Sequence, residues 1–196
     1  MQKSFAGGVA LAALACASLV MAQGPAMRAQ SKDPISDAFR RTISGAQRNL
    51  LAGAQIMPEE KYSFKPTPEQ MSFGAMALHV AQSDSGLCAR ATGAKAPSFA
   101  GLTPTSSKAD LVAAMKTAFD FCDQAMAKLT DADMSKAAPA LVILTDDLGD
   151  HYSQESIYLR INGHLPPTAM RGNGGGMRGP GGPGGMRGGR GMGGGM

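Results

Sequence analysis

Hydrophobic residues recur at three- and four-residue steps in four separate stretches of this chain, the spacing of one helix face. No stretch alternates apolar and polar residues convincingly enough to predict a strand. Asp33-Pro34 gives the first helix start, with Asp as cap and Pro at the first helical position. Ile35, Phe39, Ile43, Ala46, Leu50 and Ala54 follow, and Met57-Pro58 closes the run. Residues 61–66 (KYSFKP) read as an extended connection whose Tyr62 and Phe64 can fold back as apolar plugs.

Thr67-Pro68-Glu69-Gln70 predicts the second start, a Thr cap with Gln three residues on in a capping box. Phe73, Met76, Ala77, Val80 and Leu87 carry that stripe to about Thr92, with His79 at its edge. Gly93, Pro97, Gly101 and Pro104 make residues 92–105 a long loop. A third helix opens at 106–110 and turns Leu111, Met115, Ala118, Phe119, Cys122, Met126 and Leu129 inward. The fourth is expected from about Lys136, with Pro139 in its first turn, to the end signal Asn162-Gly163, and Pro166-Pro167 prevents its continuation. Four amphipathic helices make an all-α four-helix bundle the economical architecture.

The fourth stripe is interrupted. Asp147, His151 and Glu155 follow one another at four-residue steps on the side that also carries Leu144, Leu148, Tyr158 and Leu159. Unpaired polar groups in an apolar stripe are costly, so a metal, a ligand or a buried polar network must compensate them. Asp146 and Asp150 would point to solvent. Gly149, unfavourable in a helix by about 1 kcal/mol relative to Ala, suggests close packing against the second helix.

Composition changes the picture at both ends. Met1-Gln2-Lys3, the uncharged run from Phe5 to Met21 and the small-residue site Val20-Met21-Ala22 read as a secretory signal cleaved near Ala22, with 23–32 a linker. The expected product is exported, periplasmic or secreted, with no transmembrane anchor left after cleavage. From Gly172 the last 25 residues hold 15 of the 26 glycines and no acidic residue, so 168–196 is expected to be a disordered tail. Setting aside Lys3 and the four arginines from Arg171 onward leaves 14 basic against 15 acidic residues between Gln23 and Ala169. That part, which includes the expected folded part 33–167, is nearly neutral, and its charge gives no case for a nucleic-acid partner.

Loss of Cys16 with the signal leaves Cys88 and Cys122 as a pair. In an oxidising compartment such a pair favours a disulfide over two separate buried thiols, worth about 3–4 kcal/mol on the chain-entropy model.

Three separated segments carry a resemblance: YSFKPTPEQ, FGAMALHVAQSDSGLC and DHYSQESIYLRINGHLPP. Together and in order they resemble the DinB-like superfamily over 33–167. The resemblance implies a four-helix bundle of up-down-down-up type and, in the metal-binding members, a divalent-ion site of three histidines, one on the second helix and an H-x-x-x-H pair on the fourth. His79 matches the first and His151 the last, while Asp147 stands at the remaining position. Two histidines and a carboxylate with open positions form a recognised divalent-metal arrangement, whose oxygen ligand moves preference toward Mn or Fe without excluding Zn or Ni. Glu155 could then be a further ligand, a supporting partner or the proton acceptor. Without an ion, Asp147 would hydrogen-bond a histidine and hold the bundle.

Two functional classes follow. One is a metal-dependent thiol transferase or hydrolase acting on a small molecule. The other is a non-catalytic envelope protein that binds a ligand or partner through a degenerate site. A homodimer is compatible with either.

Overall fold

The computed structural model describes residues 31–172, all helix and connection, with no strand among them. The expected signal, most of the linker and the tail from residue 173 lie outside these residues. Helix α1 runs Pro34–Ile56, α2 Phe73–Thr92, α3 Lys108–Met126, α4 Met134–Ile161 and α5 Pro167–Gly172.

The start of α1 is where the sequence placed it, but its cap is not local. Asp131 accepts from the N–H groups of Ile35 and Ser36, at 3.1 and 2.8 Å. In return the Asp33 carboxylate accepts from the Asp131 N–H at 2.9 Å. Each aspartate thus satisfies backbone donors at the start of the other's helical segment. Ile35, read as inward-facing, is exposed, because the first turn buries Ser36 instead.

The second helix starts later than the capping box predicts. Thr67 and Gln70 close only a turn, and Ser72 is the true cap, accepting from Ala75 N–H at 3.1 Å. The lead-in decides this. Phe73 N–H bonds to Phe64 C=O and Gly74 N–H to Tyr62 C=O, so two orphan donors of α2 find partners in the folded-back connection. Tyr62 and Phe64 act as the plugs expected, Tyr62 meeting Phe73 edge to face with ring centroids 5.0 Å apart.

Helix α4 begins two residues earlier than expected, at Met134. Thr130 and Asp133 form a capping box around the 3-10 turn Asp131–Asp133, which nucleates the helix upstream. Pro139 therefore sits inside the helix rather than in its first turn. The far end is a Schellman stop: His164 N–H bonds to Leu159 C=O, Gly163 N–H to Arg160 C=O, and Gly163 takes φ 81°. Pro167 then opens α5 instead of ending the fold, and Thr168 of that turn pairs with the Tyr152 hydroxyl at 2.8 Å.

Cross-helix partners give the directions. Helix α1 runs antiparallel to α3: Arg40 donates to the Met126 and Leu129 carbonyls at one end, and Lys108 donates to the Gln55 and Met57 carbonyls at the other. Asp131 at the start of α1 and Glu155 beside Gly53 near its end make α4 parallel to α1. Leu111 beside Gly74 and Cys122 joined to Cys88 make α3 parallel to α2, which the long connection 93–107 permits. The bundle is therefore up-down-down-up. Helices α1 and α2 each pack on α3 and α4 and so occupy opposite corners. Ile43, Leu50, Leu111, Met115, Leu144 and Leu148 fill the centre.

Candidate metal centre

Two four-residue pairs face one another where α2 and α4 run antiparallel: His79 and Ser83 on α2, Asp147 and His151 on α4. Asp147 Oδ1 lies 3.4 Å from His151 Nε2 and 3.9 Å from His79 Nε2. The two imidazoles meet edge to face with centroids 4.8 Å apart. Asp147 Oδ2 is occupied separately, accepting from the Ser83 hydroxyl at 2.6 Å. The carboxylate is thus fixed from behind, and its free oxygen points to the two ring nitrogens. Ser83 stands one turn after His79 on α2, and the sequence reading assigned it no task.

Burial and charge divide the site. Burial alone would raise the Asp147 carboxyl, but hydrogen bonding to His151 and Ser83 outweighs it and leaves the group below its ordinary value. Bonding to Asp147 raises His151 despite a counteracting desolvation. His151 is buried, whereas the His79 side chain is about half exposed, so the cluster opens to solvent on the α2 side.

The donor set fits a divalent ion. His79, Asp147 and His151 each offer one ligand atom, and these atoms all lie within 4.8 Å of one another. Two imidazole nitrogens and one carboxylate oxygen match a two-histidine, one-carboxylate site with open positions. A proton shared between Asp147 and His151 would hold the same groups together without an ion.

Glu155 does not join this cluster. It is 2 % exposed, one turn beyond His151, and lies against Gly53 of α1. Its Oε2 has no hydrogen-bond partner, and burial pushes the carboxyl well above the ordinary glutamate range. Helical spacing puts Glu155 on the face of Asp147 and His151, but its carboxylate lies against α1 and not among the clustered ligand atoms. Gly53 makes room for this side chain, since an added Cβ there would overlap the Glu155 carboxylate. Gly149 meets nothing: a Cβ there has open space around it, so the expected packing against α2 is absent.

A second polar cluster was not anticipated. Gln47 donates to Asp84 at 2.8 Å in the buried centre between opposite corners of the bundle. Asp84 is 0 % exposed, and desolvation pushes its carboxyl up to about 7 although the Gln47 bond opposes the shift. One turn on, Cys88 is bonded to Cys122, with Cα atoms 5.4 Å apart. The signal for Asp84 was present: it falls four residues after Val80 and four before Cys88, on the apolar face of α2.

A family model described as the DinB superfamily matches residues 42–164, a span that holds both polar clusters. No curated protein and no solved structure gives a match.

Proposed function

This chain belongs to the DinB superfamily, and from that premise we propose that it is a divalent-metal protein whose ion is held by His79, Asp147 and His151. The observation that carries the reading is the convergence of Asp147 Oδ1 on both Nε2 atoms while Ser83 restrains Oδ2. When bound, the ion would supply Lewis acidity, lowering the pKa of a water or thiol at an open position and orienting it for attack. The chain's own residues prepare that chemistry. Ser83 holds the carboxylate in place, His151 anchors the buried side, and the half-exposed His79 leaves an approach for a small molecule. Glu155 is left out of the reacting set, because it is buried against Gly53 and is not among the clustered ligand atoms.

The reaction class that fits best is hydrolysis of a small-molecule substrate, with thiol transfer the other metal-dependent version. The signal-like leader supports export to a periplasmic or extracellular setting, where the usual low-molecular-weight thiols are scarce. No helix among the described residues is long and apolar enough to cross a membrane. A second reading, ligand binding without turnover, is favoured by one fact: Asp147 already has partners within the protein.

Metal analysis of protein purified without a histidine tag tests the site. The native chain should carry one divalent ion, and His151→Ala should lose it. Absence of metal under several metal supplies would remove the metal reading, and retention in His151→Ala would show that the ligands are misassigned. An ion-loaded protein that turns over no ester, amide or thiol-acceptor substrate would favour the binding reading.

A further inference from the structure

The Cys88–Cys122 bridge lies among polar atoms that the bridge itself leaves unsatisfied. Asp84, Cys88 and Cys122 are each 0 % exposed. Asp84 and Cys88 lie one turn apart on α2, Cys122 comes from α3, and their ligand atoms all lie within 4.8 Å of one another. Gln47 of α1 fixes the carboxylate by donating to Asp84 Oδ1 at 2.8 Å. That bond leaves Asp84 Oδ2 buried without any partner, and Gln47 Oε1 is in the same condition. A buried, partnerless carboxylate oxygen is costly, and a cation is one of the few things that can compensate it.

We propose that reduction of the Cys88–Cys122 bond converts this cluster into a second divalent-metal site, with the two thiolates and the Asp84 carboxylate as ligands and Gln47 as its positioning residue. The reductant is a dithiol: its two sulfurs become a disulfide, the Cys88–Cys122 bond breaks, and both cysteines leave as thiols. Binding of the ion then displaces three protons to solvent, one from each thiol and one from the Asp84 carboxyl. Thiolates select a borderline-soft ion of the zinc class, whereas the imidazole and carboxylate donors of the α2–α4 cluster suit harder ions as well. Two thiolates and one carboxylate supply three of the four ligands of a tetrahedral site. The core of the bundle therefore has two alternative cross-links between α2 and α3, a covalent one when oxidised and a coordinate one when reduced. This inference is independent of the ion assigned to His79, Asp147 and His151.

Cobalt(II) titration of the full chain, carrying His151→Ala so that the other cluster is disabled, tests the proposal. After anaerobic dithiol reduction and removal of the reductant, one cobalt ion per chain should bind and give a near-ultraviolet thiolate-to-cobalt charge-transfer band. The oxidised chain and Cys88→Ser should lack the band. Asp84→Asn, which keeps the shape of the side chain, should weaken binding about tenfold or more. Free-thiol counting confirms reduction, and far-ultraviolet circular dichroism reports the fold of each sample. A reduced, helical protein without the band overturns the proposal. So does cobalt affinity unchanged in Asp84→Asn, or a reduced chain that unfolds and does not regain its helical signal with cobalt.

Discussion

Gln47 and Asp84 meet through a single 2.8 Å hydrogen bond across the diagonal of the bundle, and the other two polar atoms of that pair are both buried and partnerless. A carboxylic acid and a primary amide can pair through two hydrogen bonds, O–H to amide oxygen and N–H to acid oxygen. A single proton on Asp84 Oδ2 would supply the missing donor. In the disulfide-bonded protein Asp84 is thus best accommodated as the neutral acid, in keeping with a carboxyl raised by desolvation to about 7 and by the charges of Asp123 and Asp147.

The sign of the pH effect follows. The folded carboxyl holds its proton more tightly than the unfolded one, so its stabilisation is fully present below about pH 4 and is lost as pH rises to about 7. A shift of that size corresponds to a contribution on the order of 4 kcal/mol. Asp84→Asn retains an amide pair without a titrating group. Relative to the native chain it should gain stability as pH rises through this window, measured by urea unfolding at several pH values. Two parallel stability profiles would show that Asp84 is not the group responsible.

Gly53→Ala should be more costly than a usual surface Gly→Ala change, because the new methyl meets the Glu155 carboxylate rather than solvent. A loss of about 1–3 kcal/mol is expected for such overpacking. Shortening the neighbour in Gly53→Ala/Glu155→Ala should recover part of it, with a coupling above about 0.5 kcal/mol in a double-mutant cycle. Strict additivity in denaturant melts would contradict the contact.

Ser83→Ala leaves all three proposed ligands in place and removes only the 2.6 Å restraint on Asp147 Oδ2. Metal affinity, measured by competition with a chelator, should fall about 10–100-fold, the usual effect of removing a ligand's supporting hydrogen bond. The helical melt should change little, since Ser83 is only partly buried. Unchanged affinity would mean that Asp147 is not held through Ser83, or is not a ligand.

Much of this arrangement was legible because it is periodic. Residues four apart on one helix share a face, so Asp147 with His151 could be read from one segment, and the segment order with the family resemblance supplied His79 and the bundle. The misreadings share a cause: each depends on a partner distant in sequence. Ser72 rather than Thr67 starts α2 because the lead-in 62–64 folds back onto it. Glu155 has the spacing of a site residue, yet Gly53, about a hundred positions earlier, accommodates it deep against α1. Gly149 carries the mark of close packing, but only the neighbouring helix decides whether anything is there. Gln47 and Asp84 stand 37 positions apart on different helices, and only the opposite corners of the bundle bring them together.

The exchange of caps between Asp33 and Asp131 spans 98 positions. Local signals can begin α1 during synthesis, but its first turn is completed only when the segment carrying Asp131 has left the ribosome and folded back. The same closure brings the parallel helices α1 and α4 into register, so it is a long-range step of the kind that slows folding. A nascent chain ending before residue 131 would leave the start of α1 without its cap, and a proteolytic cut just after Asp33 would take the acceptor from the Asp131 N–H while leaving the Asp131 carboxylate on the Ile35 and Ser36 N–H groups.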